Sequence, residues 1–236
     1  MDAILSLQEV NTFYGKSHIL HGISMEVRVG EILFVLGRNG VGKTTTLRTI
    51  MGLTPPKSGK ILFRGTDLSN TEDYLIPRLG IGYIPQGRHI FPELTVKENL
   101  EIGIVAGTER RKSLEEIFSY FPILKQRLKQ RGGTLSGGEQ QMLAIGRALV
   151  PNPALILLDE PSEGLMPKVV KLVVEIVQKI NRTGISVLWV EQKLVTVVEA
   201  GHRVHLISKG KVEYEGTPVE LMENREMQLR FLGVNA

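Results

Sequence analysis

The sequence of 236 residues contains no cysteine. Disulfide bonds and thiolate metal sites are therefore excluded, which is consistent with a protein of a reducing compartment. The sequence also lacks any hydrophobic run near the roughly 20 residues that a membrane-spanning helix needs. Its longest apolar runs have the length of strands and cover residues 32–36, 155–158 and 187–190. We expect a chain that does not cross a membrane unaided.

The sequence has neither an export signal at its start nor a strong charge of one sign. Asp2 and Glu9 lie where a secretory signal has basic residues and an apolar run, so we expect no export. The formal net charge is only +4, and the main basic run favours a solvated helix face over a nucleic-acid site. This run consists of Lys125, Arg127, Lys129 and Arg131. We therefore predict no nucleic-acid partner.

The composition is that of a folded globular protein, with 42% hydrophobic and 23% charged residues. Glycine-broken alternating runs over residues 3–34 and 60–64 predict antiparallel strands. Apolar residues at helical spacing over 92–131 predict an inserted helical lobe. Strands and helices then alternate, which predicts a parallel α/β sheet. The predicted elements of this last part are the strand 154–158, the helix 168–180, the strand 185–190, a further helix, and a short helix near 219–224.

A complete phosphate-loop pattern lies between the predicted strand 32–36 and a predicted helix over 44–51. Glycines allow the backbone N–H groups to approach phosphate oxygens closely. In this pattern Lys43 bridges the terminal phosphates, and Thr44 holds Mg²⁺ through its hydroxyl. The predicted nucleotide-binding residues are Gly37, Arg38, Asn39, Gly40, Val41, Gly42, Lys43, Thr44 and Thr45.

The apolar run 155–158 ends in two carboxylates, Asp159 and Glu160. The carboxyl end of a buried parallel strand is where ligands bind in α/β folds, so Asp159 is predicted to help hold Mg²⁺. Side chains alternate along an extended segment, so Glu160 is predicted to point elsewhere and to act on the attacking water. An acidic turn without a catalytic role is the alternative, but the phosphate loop upstream favours the functional interpretation.

A second candidate phosphate site is the segment 135–140, with the sequence LSGGEQ. A helix that begins with a serine and two glycines presents free backbone N–H groups, a hydroxyl and the positive end of a helix dipole. These residues are Ser136, Gly137 and Gly138. Because this segment lies far from residues 37–44 in the sequence, the two phosphate sites bind either one nucleotide or two different ones.

The three motifs, in this order, resemble the ATP-binding cassette family over nearly the full length of the chain. The resemblance implies an α/β fold: a P-loop NTPase core with a parallel sheet, an N-terminal antiparallel β subdomain and an inserted helical subdomain. It implies one ATPase domain over 1–236, in which 1–86 and 154–236 form the core and approximately 87–153 the helical subdomain that carries the signature. ATP and Mg²⁺ are the implied cofactors.

The resemblance also implies a second cassette as partner, in a homodimer or heterodimer. In this family the signature of one cassette contacts the γ-phosphate held by the phosphate loop of the other. Carried onto this sequence, Ser136, Gly137 and Gly138 act in trans. A single chain is then catalytically incomplete.

Further positions acquire roles from the resemblance. Tyr14 lies where the family places an aromatic ring that stacks on adenine, with Ile19 beside it; the alternative is a tyrosine of the core. Gln86 matches the glutamine that contacts Mg²⁺ and links the two lobes, and an exposed loop glutamine is its alternative.

Two positions depart from the common family pattern. Gln192 occupies the switch position where many members have a histidine. Glutamine forms hydrogen bonds but takes no proton near neutral pH, so we expect catalysis to depend on Glu160 without an essential imidazole titration. Leu165 stands where many cassettes have an aspartate, which puts cross-dimer communication through that carboxylate in doubt.

Both departures, with the segments 87–96 and 160–165, look like the ATP-binding subunits of branched-chain amino acid importers and their relatives for urea and short amides. The implied function is an ATP-hydrolysing subunit at the cytoplasmic face of the membrane. Polytopic permease subunits are the implied partners, docked near residues 90–94, and an extracytoplasmic solute-binding protein takes part indirectly. Packing within the lobe is the alternative role of 90–94.

Two other classes of protein share part of this pattern. A soluble, non-transport ATPase of the same family uses the same chemistry, although translation factors of the family usually carry two cassettes in one chain. A nucleotide kinase or GTPase has no need for the segment 135–140, and the Asn-Lys-x-Asp segment of GTPases is missing from the sequence.

Overall fold

The structure, a computed structural model, describes residues 2–104, 112–192 and 194–233. The predicted helical subdomain 87–153 includes residues 105–111, which lie outside the described residues. The strands are β1 (Ala3–Tyr14), β2 (Ser17–Arg28), β3 (Ile32–Leu36), β4 (Ser58–Phe63), β5 (Thr66–Asp67), β6 (Ile81–Ile84), β7 (Leu155–Asp159), β8 (Ser186–Glu191), β9 (Arg203–Ser208) and β10 (Lys211–Gly216). The helices are α1 (Lys43–Ile50), α2 (Val96–Ile102), α3 (Leu114–Tyr120), α4 (Pro122–Gln126), α5 (Gly137–Leu149), α6 (Pro167–Asn181), α7 (Leu194–Ala200), α8 (Pro218–Glu223) and α9 (Arg225–Met227).

The strands of the described residues form two sheets. One is antiparallel, in the order β2-β1-β4-β5. The other has the order β10-β9-β3-β8-β7-β6, in which every pairing is parallel except the edge pair of β9 and β10. The α/β fold expected from the sequence, with an antiparallel part, is confirmed.

The continuous apolar run of β3 is explained by burial on both faces. Ile32, Phe34 and Leu36 pack in one hydrophobic cluster together with residues of α5 and α6. Leu33 and Val35 point to the other face and pack in a second cluster with the antiparallel sheet. A strand between two layers has no solvent face, so its sequence shows no alternation. The parallel sheet is therefore the central layer of the fold.

The hairpin of β9 and β10 was not predicted from the sequence. β9 pairs in parallel with β3 and thus adds a strand on the side away from β8. The sequence of β9 mixes polar and apolar residues, with Arg203, His205 and Ser208 among the polar ones. The residues from Val204 to Ile207 are nevertheless all buried. The two residues Lys209 and Gly210 make the turn with positive φ angles of 47° and 74°. A two-residue turn with glycine in the second position is a hairpin signal that the sequence offered.

This hairpin turn joins the phosphate loop to the antiparallel sheet. The Gly210 N–H donates to the Val41 carbonyl at 2.9 Å, and the Gly210 carbonyl accepts from the His21 N–H at 2.8 Å. A Cβ on Gly210 would lie 2.0 Å from the Ile19 carbonyl oxygen, and a Cβ on Gly37 would lie 2.4 Å from the Ile207 carbonyl oxygen. Only glycine permits such close backbone approach at both positions.

The described residues between 96 and 149 include the four helices α2 to α5. Three of these helices begin with a capping box, in which a hydroxyl accepts from the third helical N–H and a glutamate accepts from the cap residue's N–H. The pairs are Thr95 with Glu98 at α2, Ser113 with Glu116 at α3, and Ser136 with Glu139 at α5. Each of these helix starts is encoded within four residues of sequence.

Candidate nucleotide-binding and catalytic site

Four neighbouring parallel strands bring the predicted site residues to one edge of the central sheet. The phosphate loop follows β3, and Gln192 follows β8. Asp159 ends β7, and Gln86 lies two residues beyond β6. Because the strands are parallel neighbours, their carboxyl ends meet at the same edge. Side chains that are far apart in sequence therefore converge.

A cleft of about 400 Å³ opens at this edge. The side chains and loop atoms that line it include ten of the residues predicted from the sequence. They are Tyr14, Ile19, Asn39, Gly40, Gly42, Lys43, Thr44, Thr45, Gln86 and Glu160, and Glu163 joins them. Glu163 was not predicted, although it is a carboxylate in the loop directly after Glu160. The cleft has the size and the polar lining of a small-molecule site.

The phosphate loop wraps around the ammonium group of Lys43. Lys43 is only 4% exposed, and its Nζ donates to the Gly37 carbonyl at 2.9 Å and to the Arg38 carbonyl at 3.1 Å. The Glu160 Oε1 lies 3.2 Å from the same Nζ, as an ion pair between two buried side chains. Gly42 has a φ of 112° and directly precedes helix α1. The helix N-terminus and the ammonium therefore face the same cleft.

Asp159 lies beside the hydroxyl of Thr44, as a shared magnesium site requires. The Thr44 Oγ1 donates to the Asp159 Oδ1 at 3.0 Å, and the hydroxyl of Tyr83 lies 3.4 Å from the Oδ2. Burial raises the pKa of Asp159 above its ordinary value, the hydrogen bond from Thr44 opposes this, and the nearby Glu160 carboxylate adds to the rise. Tyr83 was not singled out from the sequence, where its place in a buried strand gave no signal.

The oxygen donors at this position fit a hard divalent cation. A threonine hydroxyl and a carboxylate are ligands that Mg²⁺ accepts alongside phosphate oxygens and water. A bound cation also lowers the free-energy cost of a buried, charged Asp159. The described residues contain no group of three or more histidine, cysteine, aspartate or glutamate side chains that could hold a metal alone. Phosphate oxygens and water are the ligands that would complete such a Mg²⁺ site.

Glu160 reaches the cleft for a reason that differs from the predicted one. The prediction assumed an extended backbone, in which side chains alternate. Instead Glu160 has a φ of 47°, in the left-handed region that non-glycine residues rarely adopt. The chain thus turns sharply after Asp159, and the Glu160 carboxylate faces Lys43 rather than the opposite face of a strand.

Gln192 lies against the carboxylate of Glu160. Its side-chain amide donates to the Glu160 Oε1 at 2.9 Å and to the Oε2 at 3.0 Å. The same amide contacts the Asn39 Oδ1 of the phosphate loop. A neutral amide with two N–H donors can hold a carboxylate by hydrogen bonds without transferring a proton to it. The predicted switch residue is therefore beside the predicted base.

Tyr14 and Gln86 both line the cleft. Tyr14 is 44% exposed, so it is not a residue of the core, and its hydroxyl lies 3.4 Å from the Thr54 Oγ1. The Gln86 Nε2 donates to the Glu163 Oε2 at 2.8 Å, across the loops that follow β6 and β7. Ile19 is partly buried beside the phosphate loop. An exposed ring and a neighbouring aliphatic side chain are suited to stacking on a base.

The signature residues are not brought to this cleft within one chain. Ser136 caps helix α5, where its Oγ accepts from the Glu139 N–H at 3.4 Å and its own N–H donates to the Glu139 Oε2 at 2.8 Å. That backbone hydrogen bond is the main cause that lowers the pKa of Glu139. Ser136, Gly137 and Gly138 are not among the residues lining the 400 Å³ cleft. The two candidate phosphate sites are therefore separate in the single chain.

Two surfaces noted in the sequence lie outside this cleft. The side chains of Lys125, Arg127, Lys129 and Arg131 are all exposed, and three of them form ion pairs, with Glu115, Glu139 and Glu93. In the segment 90–94, Phe91 is 45% exposed while Ile90 packs against the core. No helix within the described ranges is long and apolar enough to span a bilayer.

Comparisons with known proteins agree on one family. The family model described as "ABC transporter" matches residues 20–163. The chain is 40% identical over 232 residues to the high-affinity branched-chain amino acid transport ATP-binding protein BraG of Pseudomonas aeruginosa, covering 98% of this chain and 100% of BraG. It is 33% identical to the probable branched-chain amino acid transport ATP-binding protein LivF of Archaeoglobus fulgidus, at 98% and 99% coverage. The lipopolysaccharide export system ATP-binding protein LptB of Haemophilus influenzae is also 33% identical, covering 98% of both chains.

Solved structures show the same fold. A nucleotide-free ATP-binding cassette of an ABC transporter superposes with a TM-score of 0.87 at 25% identity and full coverage of both chains. A dimeric ATP-binding cassette in a post-hydrolysis state, bound to ADP and Pi, superposes with a TM-score of 0.81 at 27% identity, covering 91% of this chain and 98% of that one.

Proposed function

This chain belongs to the ABC transporter family, and from that premise we propose that it powers the import of a small polar solute, foremost branched-chain or other amino acids. Members of the family couple ATP hydrolysis to transport, and this chain is such an ATPase. The observation that carries the chemistry is the approach of Lys43 and Glu160, whose Nζ and Oε1 lie 3.2 Å apart. The ammonium of Lys43, which is proposed to bind phosphate, and the carboxylate of Glu160, the candidate general base, thus lie together in one cleft.

ATP is proposed to bind along the cleft from Tyr14 to Lys43. The exposed ring of Tyr14 offers a face for adenine, with Ile19 at its side. The amides of the phosphate loop and the Lys43 ammonium would hold the β- and γ-phosphates. Thr44, Asp159 and Gln86 would hold Mg²⁺. The cation neutralises charge on the terminal phosphates when it is bound.

Glu160 is proposed as the general base for the attacking water. Its carboxylate can accept a proton from water while the Gln192 amide fixes its orientation. A positioned base of this kind typically contributes about 10²- to 10⁴-fold to the rate. Gln192 has no proton to exchange near neutral pH, so its proposed role is to position Glu160 and to donate a hydrogen bond to the γ-phosphate.

A second cassette is proposed to complete each site. Dimeric cassettes are found among the solved structures of this fold. Ser136, Gly137 and Gly138 would contact the γ-phosphate held by the partner's phosphate loop, with the N-terminus of α5 facing the anion. The partner is either a second copy or a related subunit. Phe91 is exposed and lies close to Gln86 in the sequence, and it is the proposed docking point for a permease subunit.

The proposed location is the cytoplasmic face of the membrane, where polytopic permease subunits hold the chain as a peripheral protein. A solute-binding protein would deliver the cargo on the far side. The amino acid cargo is supported by the 40% identity to BraG. Urea or a short amide is the alternative cargo, and a non-transport ATPase is the alternative role.

Transport in reconstituted vesicles tests this function. The chain is assembled with the membrane subunits encoded beside it, and ATP-dependent uptake of leucine, valine and urea is measured. Lys43→Ala is the matched control, because it removes the phosphate-binding cation without changing the permease surface. Uptake of leucine or valine that needs an intact Lys43 would support the proposal. Recovery of the chain only with ribosomes or a soluble scaffold would exclude the import role.

A further inference from the structure

A single arginine connects the segment that carries Gln86 to the start of the signature helix. Arg88 lies two residues beyond Gln86, in the loop after β6. Its Nη1 donates to the Gln140 Oε1 at 3.2 Å, in the first turns of α5. Gln140 in turn donates to the Gly132 carbonyl at 3.3 Å. The guanidinium is thus joined, directly and through Gln140, to both ends of the segment 132–140. This segment contains the signature and is called the signature turn below.

The guanidinium also lies close to Gly137. A Cβ on Gly137 would be 3.1 Å from both terminal nitrogens of Arg88 and 3.3 Å from its Cζ. The guanidinium therefore occupies the space that a side chain at the first helical residue would need, and a longer residue at 137 would displace it. Two terminal nitrogens held in one planar group are a property of arginine that lysine lacks.

The same side chain approaches the loop that follows Glu160. A Cβ on Gly164 would lie 3.9 Å from the Arg88 Nη2. In the neighbouring position of that loop, Glu163 accepts the hydrogen bond from Gln86 at 2.8 Å. The segment 86–88 therefore contacts the signature turn through Arg88 and the loop after β7 through Gln86, with the guanidinium of Arg88 close to that loop.

The backbone around Arg88 is set for this contact. Gly87, Arg88 and His89 have consecutive φ angles of 82°, 68° and 46°. Two non-glycine residues in the left-handed region, side by side, are uncommon. The turn is supported from the other side by Arg147 of α5, whose Nη2 donates to the His89 carbonyl at 2.7 Å. Both ends of the turn are thus attached to one helix.

The charge of Arg88 is not balanced inside the chain. Among the ion pairs of the described residues, none includes Arg88. Its hydrogen-bond partner Gln140 is a neutral amide. The N-terminus of α5, beside it, carries the positive end of the helix dipole. The start of α5 therefore holds a cation that no ion pair of the described residues neutralises.

We propose that Arg88 is a positioning residue of the composite ATP site. It fixes the signature turn to the segment 86–88, which carries Gln86. The turn and this segment then move together as the two cassettes associate. This role rests on the proposed sandwich of two cassettes. Arg88 does not line the nucleotide cleft of its own chain. Its loss should therefore affect association of the cassettes, while ATP binding to a single cassette is unchanged.

The test uses the purified chain with Glu160→Gln, which is expected to bind ATP without hydrolysing it. Sedimentation velocity with Mg-ATP measures the dissociation constant of the dimer. We expect Arg88→Ala to weaken the dimer about tenfold or more, and Arg88→Lys to restore little, because the planar guanidinium with its paired terminal nitrogens is lost in both. Binding of a fluorescent ATP analogue at a protein concentration below dimer formation should change less than about twofold, since Arg88 lies outside that cleft.

A matched control and a double-mutant cycle complete the design. Arg131→Ala removes an exposed arginine of the same region, paired only with Glu93 at the surface, and should leave the dimer unchanged. Gln140→Ala should weaken the dimer as well, and the Arg88→Ala, Gln140→Ala double variant should be no weaker than Arg88→Ala alone.

Three outcomes would overturn the role of Arg88. They are an Arg88→Ala dimer as tight as the parent, full rescue by lysine, and effects of Arg88→Ala and Gln140→Ala that multiply. A loss of ATP binding and of melting temperature in Arg88→Ala would indicate a structural role instead. If the Glu160→Gln parent remains monomeric with ATP, the sandwich itself is wrong, and that failure is distinct from a parent dimer that ignores Arg88.

Discussion

The cleft in the core and the signature turn in the helical region are built in different ways. In the cleft, polar side chains meet from distant parts of the chain: Thr44 and Asp159 are 115 residues apart, and Gln192 and Glu160 are 32 residues apart. At the signature, Ser136 and Glu139 satisfy each other within one helical turn. The cleft therefore depends on the whole sheet, whereas the signature turn is a local structure, which in the proposed dimer would present its N–H groups to a second cassette.

This difference predicts that substitutions in the cleft change the rate of ATP hydrolysis. Substitutions at the signature should instead impair the ATP site that the partner cassette completes. The largest effect is expected at Glu160. Glu160→Gln should lower kcat about 10³-fold, because the amide cannot accept the proton of the attacking water. ATP binding should persist, since the phosphate loop is untouched. Phosphate release under saturating Mg-ATP measures the rate.

Gln192→Ala is the matched comparison for Glu160→Gln. It should lower kcat about tenfold, because it removes a hydrogen bond that orients the base but leaves the base itself. The rate should show no titration assignable to position 192 between pH 6 and 8, since glutamine does not ionise there. A Gln192→Ala enzyme that is dead beside an active Glu160→Gln enzyme would reverse the two assignments.

Complementation of two inactive chains tests whether the signature acts in trans. Lys43→Ala damages the phosphate loop, and Gly138→Asp places a negative charge at the signature; each alone should lower activity about 100-fold or more. In an equimolar mixture, half of the dimers are mixed and each of these keeps one intact composite site. About a quarter of the wild-type rate should therefore return.

Activity of the mixture is compared with that of each variant at the same total protein concentration. Sites completed within one chain would all remain damaged in the mixture, so a rate no higher than that of the single variants would contradict the composite site.

The core should also be the acid-sensitive part of the molecule. His205 on β9 is fully buried, and its Nε2 lies 3.0 Å from the Arg203 Nη2. Burial, with a smaller contribution from Arg203, lowers the pKa of His205 to about 4. The unfolded chain binds this proton near pH 6.5, so stability is complete above that pH and is lost as the pH falls toward 4.

Between pH 7 and pH 5, His205 should reduce the free energy of unfolding by about 2 kcal/mol. Urea unfolding at the two pH values measures the change, and His205→Gln should remove most of it. His89→Gln, at an exposed histidine, is the control. A pH dependence that is equal in His205→Gln and the wild type would contradict the assignment.

The smallest effect is expected at a helix start outside the site. Ser113→Ala removes the capping hydroxyl of α3 and should cost about 1 kcal/mol of stability, with no change in kcat. Ser119→Ala in the same helix is the control, because its hydroxyl bonds back to the Glu116 carbonyl and contributes little. Thermal unfolding measures both. Loss of ATPase activity in Ser113→Ala at low temperature would mean that this helix is coupled to the cleft.

The contrast between local and distant contacts also explains what could be predicted from the sequence. The phosphate loop, the strand before Asp159 and the cap at Ser136 are local patterns, and the structure has each element within a few residues of its predicted bounds. The close contacts of Gln192 and of Tyr83 depend on strand order, which no local pattern specifies. The left-handed backbone of Glu160 was missed because no glycine marks that position. The hairpin of β9 and β10 was missed although its turn residue Gly210 is a local signal.

The backbone hydrogen bonds of Gly210 affect which parts of the cleft can move. The Gly210 N–H donates to the Val41 carbonyl of the phosphate loop, and the Gly210 carbonyl accepts from the His21 N–H of β2. β2 also carries Ile19, the proposed neighbour of the Tyr14 ring that stacks on adenine. Backbone hydrogen bonds of Gly210 thus connect the phosphate loop to β2, and these bonds do not depend on side-chain rotation. These amides should exchange with deuterium only through large-scale opening, whereas amides near residues 86–89 should exchange through local fluctuations. In the proposed nucleotide complex this link would keep the distance between the phosphate loop and β2 constant, and movement would be left to the segment 86–89.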